Sequence, residues 1–510
     1  MSRFRYAAQA FVSGYVVIGA NLLYTLASVP LALHYLSKQE FGMWALIMQI
    51  VGYFGLIDFG MSGAVARILA DHKDDRDGGS YGAVLKTGAL VFSIQGFLIA
   101  ILGIAISWVL PDLMAIPANL KALFTILMAA QCVLLGSGFC VKILGSALWC
   151  HQRSDVVNIS GVLVLGINFV VLWLGFHFGL GLYSMLLSNA AGVLTNAISS
   201  WLASSWLQLF PTRGSWGALS WSVFWEVYVY AKNLFLITIG TQLLMASQVV
   251  IVTRTLGLDA AAVWSIATKV FTLAQQIVFR ICDFSIAALV EMFVRGERSL
   301  LQRRFRHLVL FSASLSIVAG ATVAVCNGSF LEIWTRGRIA WGWENDVLMA
   351  VLLVLYSVVR CYSSLMDVTK ELRGLKYVSL LEGVCFVVLG LFLATKFGFS
   401  GVIGAAIVLD IIFMGTYGVW RTANFFQVSA RAILWDWLLP ALRMALIFLP
   451  MAALIWWLTR DSAPLTRFLL GGGVTGATGI LFLFSVGITR DIRDELFARM
   501  RALLPAATND

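Results

Sequence analysis

The chain is 510 residues long, 60% of them apolar and only 12% Asp, Glu, Lys or Arg, against roughly 25% charged residues in an ordinary soluble domain. That balance excludes a soluble enzyme and leaves an all-α polytopic membrane protein. The net charge of +10 would suggest nucleic acid in a soluble protein, but here the basic residues collect on one side of the predicted spans, so no nucleic-acid partner is expected.

Arg3 and Arg5 precede an apolar run over 9–36, about twice as long as the apolar region of a secretory signal, roughly 7–15 residues. It reads as an uncleaved first helix. A crossing needs about 20 predominantly apolar residues, and on that measure further spans are predicted at 41–69, 83–110, 120–148, 156–176 and 181–206. A second set follows at 228–256, 260–293, 307–333, 346–370, 377–395, 400–420, 438–459 and 465–488, giving about fourteen transmembrane helices. From Val156 to Thr212 the only acidic or basic residue is His177, so that stretch must fold back, and the break is placed at Phe176–Gly181. With the N-terminus inside, Arg153, Arg213, Arg295, Arg298, Arg303, Arg304, Arg306, Arg421 and Arg431 lie on the cytoplasmic side, while outer segments keep few cations such as Lys38 and Lys121. This positive-inside bias predicts that both termini are cytoplasmic.

The chain repeats itself weakly. Leu36 and Trp44 recur 220 positions on as Leu256 and Trp264, and Phe178-Gly179 recurs 219 positions on as Phe397-Gly398. The shared offset predicts two pseudo-symmetric six-helix lobes, 1–206 and 228–426. The joining segment 207–227 carries Trp216, Trp221 and Trp225, residues that favour the headgroup level. Helices 13 and 14, over 438–488, fall outside the duplication. Residues 489–510 then place Ile492, Leu496, Met500 and Leu503 on one face, predicting an interfacial amphipathic tail; a docking site for a cytoplasmic partner is the alternative.

Ionisable side chains inside a span cost about 2.5–3.5 kcal/mol each at its centre, so their spacing is informative. In the eighth span Lys269, Thr272, Gln276, Arg280 and Asp283 stand at i, i+3, i+7, i+11 and i+14, one narrow stripe. The tenth span repeats the arrangement with Arg360, Ser364, Asp367 and, at the cytoplasmic mouth, Glu371. The first has Asn21, Thr25, Ser28 and Tyr35 on one face, and Pro30 predicts a kink. These stripes read as walls of an aqueous cavity. The competing reading pairs Arg280 with Asp283 and Arg360 with Asp367 as ion pairs that only pack helices, which leaves Lys269 and Gln276 unexplained. Asp58 and Arg67, nine residues apart in the second span, fall near opposite faces, with Arg67 sharing a face with Gln49, Gly60 and Gly63.

The run Asp71–Asp77 contains Asp75-x-Asp77, a pattern known from metal-dependent sugar transferases, but it lies in a short loop with no catalytic domain around it and reads as a solvated turn. The seven cysteines show no CxxC or Cys/His spacing, and no HExxH, GxSxG or phosphate-loop motif is present. No metal, cofactor or enzymatic activity is expected.

The stretches Pro30-Leu-Ala-Leu-His-Tyr-Leu36, Glu40-Phe-Gly-Met-Trp-Ala-Leu46, Tyr53-Phe-Gly-Leu-Ile-Asp-Phe-Gly60 and Arg67-Ile-Leu-Ala70 together resemble the opening of the polysaccharide-transporter family. These are O-antigen and exopolysaccharide flippases of the multidrug/oligosaccharidyl-lipid/polysaccharide exporter superfamily, multi-pass proteins of the bacterial inner membrane. The resemblance implies two six-helix lobes around a central cavity, and alternating access that carries an isoprenoid-diphosphate-linked oligosaccharide from the cytoplasmic to the outer leaflet, with membrane lipids and the polysaccharide polymerase and export machinery as partners. The lumen of that family is often cationic, and the matching residues here are Arg67, Lys269, Arg280 and Arg360. Many members have twelve helices; the two added here resemble the lipid II flippases.

Residue chemistry points the same way. A diphosphate in a low-dielectric setting needs cationic donors, and sugars need amides and hydroxyls, for which Asn21, Thr25, Gln276 and Ser364 are candidates. Asp58, Asp283 and Asp367 are the candidate coupling residues for ion antiport. The alternatives are a lipid II-type peptidoglycan-precursor flippase, a multidrug exporter of the same superfamily, and a membrane glycosyltransferase or polymerase. The last is disfavoured by the short outer loops.

Overall fold

The computed structural model describes residues 3–73, 79–151, 153–369, 373–489 and 491–494. Asp75, Asp77, Glu371 and most of the expected amphipathic tail lie outside them. The described residues are mostly helical, without a β-strand among them. The first helices are α1 (Arg3–Tyr35), α2 (Lys38–Phe54), α3 (Met61–His72), α4 (Ser80–Leu113), α5 (Ala118–Cys150), α6 (Ser154–His177), α7 (Tyr183–Trp206) and α8 (Trp221–Leu256). They are followed by α9 (Leu258–Ala267), α10 (Lys269–Val294), α11 (Arg298–Thr335), α12 (Trp343–Thr369), α13 (Arg373–Asp410), α14 (Thr416–Phe426) and α15 (Leu439–Thr459). The last crossing is built from α16 (Pro464–Thr466), α17 (Gly473–Phe482) and the π-turns that flank α17.

Eleven of these segments are long and apolar enough to cross a membrane. One of them, Gly374–Phe426, has 53 residues, about twice the length a crossing needs. Its helix breaks at Gly398, where φ is 59° and ψ is −135°, a conformation open to glycine and closed to side chains with a Cβ. The break falls where two spans were expected to part. Two expected spans, α7 and the α9–α10 pair, are helical but too polar to count among the eleven. In α7 the cause is Ser184, Ser188, Ser200 and Ser204, all buried, and in α10 it is the Lys269–Asp283 stripe.

The second span needs a correction. It is two helices rather than one, because Gly55–Asp58 tightens into a 3₁₀ turn and Phe59 and Gly60 both take positive φ, 50° and 77°. Two successive left-handed residues end the helix, so the helical arithmetic placing Arg67 on one face with Gln49 and Gly60 does not hold. The motif Tyr53–Gly60 is this turn.

The chain divides into two compact units, Met1–Ala262 and Val263–Asp510. The boundary lies beyond the expected joint at 207–227, because α8 packs on α2, α3 and α4. The joining segment docks on the start of α4. Lys86 Nζ donates to the Gly217 carbonyl at 2.9 Å, and the Ser220 amide donates to Thr87 Oγ1 at 3.2 Å. Trp206, Trp221 and Trp225 remain exposed.

In the first unit α2 begins at a capping box, Ser37 accepting from the Glu40 amide while Glu40 accepts from Ser37 N at 2.8 Å. Gly42 then lies so close to the start of α9 that a Cβ there would stand 1.9 Å from the Leu258 carbonyl oxygen. Beside it Gln39 Nε2 donates to Asp259 Oδ2 at 3.4 Å. In the second unit α11 is the central helix, packed by α10, α12 and α15. Ile492 is buried against α11 and α15.

Candidate functional site

The polar stripe of α10 is an accessible face of the second unit. Lys269, Thr272, Gln276 and Arg280 are all exposed, whereas Phe271, Val278 and Cys282 on the opposite side are buried. The helix folds this way because its apolar residues face α11 and α12, leaving the charged ones no dry partner. Among the described residues no acidic group pairs with Lys269 or Arg280, and Gln276 makes no side-chain hydrogen bond. Thr272 donates back to the Thr268 carbonyl at 3.0 Å.

One turn further along, α10 meets α12. Arg360 Nη2 donates to Asp283 Oδ1 at 2.7 Å, and Asp367 Oδ2 lies 4.0 Å from Arg360 Nη1. Arg360 is thus flanked by two carboxylates. Its side chain is 31% exposed, so the group is half-buried. Below the ion pair the Cys282 and Cys361 sulfurs stand 3.1 Å apart, both fully buried.

Ser364 corrects an expectation. It is fully buried, and its hydroxyl donates to the Cys361 carbonyl at 2.7 Å. Such back-bonding satisfies the hydroxyl within its own helix, so Ser364 presents nothing to a cavity.

The candidates of the first unit occupy three places. Asn21 is exposed and Thr25 half-buried on α1. Arg67 is an exposed residue of α3, 3.7 Å from Asp71. Asp58 sits in the turn between α2 and α3, where it accepts from Ser62 Oγ and the Ser62 amide. It also pairs with Lys142 Nζ of α5 at 2.9 Å. Gln95 Nε2 donates to the carbonyls of Ile57 and Asp58 at 2.8 and 3.1 Å. The Asp58 carboxylate therefore holds the turn in place, with Lys142 as its counter-ion.

Lys142 escaped the sequence reading, as did a buried group in the second unit. Glu382 and Asp410 are each 2% exposed and lie within electrostatic reach of each other. Among the described residues Glu382 Oε1, Asp410 Oδ2 and the Tyr356 hydroxyl have no hydrogen-bond partner. The sequence carries the signal, since an isolated ionisable residue in an apolar span is informative by itself even outside a polar stripe.

No family model and no curated protein matches the chain. Solved structures do. An inward-facing multidrug resistance MATE family transporter of the MOP superfamily superposes with a TM-score of 0.66 over 80% of this chain and 96% of its own, at 14% identity. A MOP superfamily transporter from Pyrococcus furiosus, described as having a binding pocket of reverse polarity, gives 0.57 over 83% and 96% at 13% identity. The lipid II flippase MurJ in an inward closed conformation gives 0.58 over 98% of this chain and 100% of its own, at 13% identity. At such identities the likeness is one of fold. The chain has the all-helical, multi-pass membrane fold of MOP-superfamily transporters and flippases.

Proposed function

We propose that this protein is a flippase that moves an isoprenoid-diphosphate-linked oligosaccharide from the cytoplasmic to the outer leaflet of the bacterial inner membrane by alternating access. The cargo would serve a cell-surface polysaccharide such as O-antigen or exopolysaccharide, and the polymerase and export machinery would receive it. The observation that carries this reading is the exposed α10 stripe. Lys269 and Arg280 are two cations without an acidic partner among the described residues, interleaved with the hydroxyl of Thr272 and the amide of Gln276.

That donor set suits a diphosphate bearing sugars. Charge-assisted hydrogen bonds from Lys and Arg hold phosphate oxygens, and the amide and hydroxyl meet sugar hydroxyls. Arg360, already flanked by Asp283 and Asp367, contributes donors left over from that ion pair. Asn21, Thr25 and Arg67, on helices of the first unit, are proposed as further donors of that unit by itself. No bond of the cargo is made or broken, so binding and release suffice.

Two other cargoes have specific support. The likeness to MurJ extends over nearly the whole chain, which favours a lipid II-type precursor. The likeness to a MATE multidrug transporter has the higher TM-score, which favours a drug, for which Asp283 and Asp367 would be the cation-binding groups. Depleting the protein and identifying the lipid that accumulates on the cytoplasmic side separates the three. A lipid-linked oligosaccharide supports the present reading, and a lipid-linked peptidoglycan precursor replaces it with the second. Heightened drug sensitivity without lipid accumulation replaces it with the third.

A further inference from the structure

A second polar recess lies far along α11 from the α10 stripe, in the second unit. Its lining includes Ser299, Gln302, Arg303, Arg306 and His307 from the first turns of α11, Trp437 before α15, and Thr489 and Asp491 after the last crossing. Three segments separate in sequence thus converge, and all three are cytoplasmic in the orientation that the basic residues favour. The cavity measures about 370 Å³, within the range of small-molecule sites, roughly 300–1,000 Å³.

We propose that this recess binds the phosphodiester headgroup of an anionic phospholipid of the cytoplasmic leaflet. Arg303 is exposed and supplies a planar guanidinium matched to phosphate. Arg306 spends one N–H on the Asp436 carbonyl at 3.3 Å and has others to offer. The Thr489 Oγ1 atom is buried without a hydrogen-bond partner among the described residues, which is unfavourable unless a ligand or water completes it. Among the described residues that line the recess, Asp491 is the one carboxylate. It is exposed, so solvent screens its repulsion.

The surroundings favour a lipid over a soluble phosphate. Leu310 and Trp437 share the lining with the arginines, so one wall is apolar. The recess sits at the ends of two crossings, Arg298–Thr335 and Pro464–Gly487, the level at which headgroups meet acyl chains. Basic pockets between spans on the cytoplasmic side recognise anionic headgroups in this way. The assignment is independent of the cargo proposed above, since none of its residues belongs to the α10 stripe.

The test is native mass spectrometry of the delipidated full-length protein, titrated with phosphatidylglycerol or phosphatidylcholine. Phosphatidylglycerol should bind at least about fivefold better, a factor on the order of one arginine–headgroup interaction. R303Q with R306Q should reduce the preference to near parity, R303K with R306K should keep most of it, and R431Q, outside the recess, should leave it unchanged. Glycerol 3-phosphate and inorganic phosphate at millimolar concentration should fail to displace the lipid. Equal binding of the two lipids, an undiminished preference in the R303Q/R306Q protein, or displacement by either soluble phosphate at millimolar concentration would each overturn the assignment.

Discussion

Arg360 of α12 donates to Asp283 of α10 at 2.7 Å, although in sequence Asp283 has a nearer cation, Arg280, one turn away on its own helix. The choice of partner separates two cations that look alike in the sequence. Arg360 ties two helices together, and Arg280 is left on the open face. The pair is about one-third exposed, so solvent screens it and its worth is modest.

Replacing Arg360 by Gln should cost stability, and D283N should restore part of it in the double variant. The coupling expected from a double-mutant cycle is about 1 kcal/mol, after discounting for exposure. Thermal unfolding of the four proteins in detergent measures it. Strict additivity would show that the ion pair contributes nothing.

Transport should depend on the open cations instead. K269Q and R280Q should each impair movement of the lipid-linked oligosaccharide by roughly tenfold or more, the loss of one charge-assisted contact of about 1.5–3 kcal/mol. R280K should recover part of it, because Lys keeps the charge but loses the bidentate fork. Full transport by both Gln variants in reconstituted vesicles would refute the proposed role.

Accessibility divides the same residues. In a background stripped of native cysteines, K269C, Q276C and R280C should react with a hydrophilic thiol reagent, whereas S364C should stay protected. Uniform protection would mean that the stripe is covered in the membrane. In the native protein Cys282 and Cys361 should resist alkylation until unfolding, while the exposed Cys140 reacts with a membrane-permeant reagent.

Gly42 tests the packing of the first unit. A methyl group there would stand 1.9 Å from the Leu258 carbonyl oxygen, and backbone cannot swing aside as a side chain can. G42A should therefore destabilise by about 2–3 kcal/mol, the upper part of the range for overpacking, or abolish folded protein. The control is G63A, where a Cβ meets nothing within 4 Å and stability should be nearly unchanged. Equal unfolding temperatures for both variants would contradict the close approach.

The driving force expected for the proposed cargo follows from its sign. A diphosphate carries about two negative charges, and each is worth about 2.3 kcal/mol per 100 mV across the full field. A potential negative on the loading side should thus speed translocation in proteoliposomes. Indifference to potential with strict dependence on a proton or sodium gradient would point to antiport, with Asp58, Asp283, Asp367 and the buried Glu382–Asp410 pair as the coupling residues to test.

Much of the architecture was written in local composition. Apolar runs of about twenty residues can be stable in hydrocarbon only as helices, so their positions follow from the sequence, as do the breaks at Gly179 and Gly398. The α10 stripe was legible for a similar reason, because helical geometry alone puts Lys269, Gln276 and Arg280 on one face. The turn at Phe59-Gly60 was not, since residues on both sides of it are apolar enough for one continuous span.

What only the tertiary structure decided is partnership. Whether Asp283 meets Arg280 or Arg360, whether Asp58 finds Lys142, and whether Ser364 opens to a cavity or bonds to its own helix all depend on which helix faces which. Those facings arise from packing between segments distant in sequence, such as Gly42 against the Leu258 backbone, and no local period encodes them. The sequence determined that the protein crosses the membrane many times and that one helix carries a cationic face. The packing of α10 on α12 determined which of those cations remain available to a ligand, because an ion pair forms only where two helices bring opposite charges within a few ångströms.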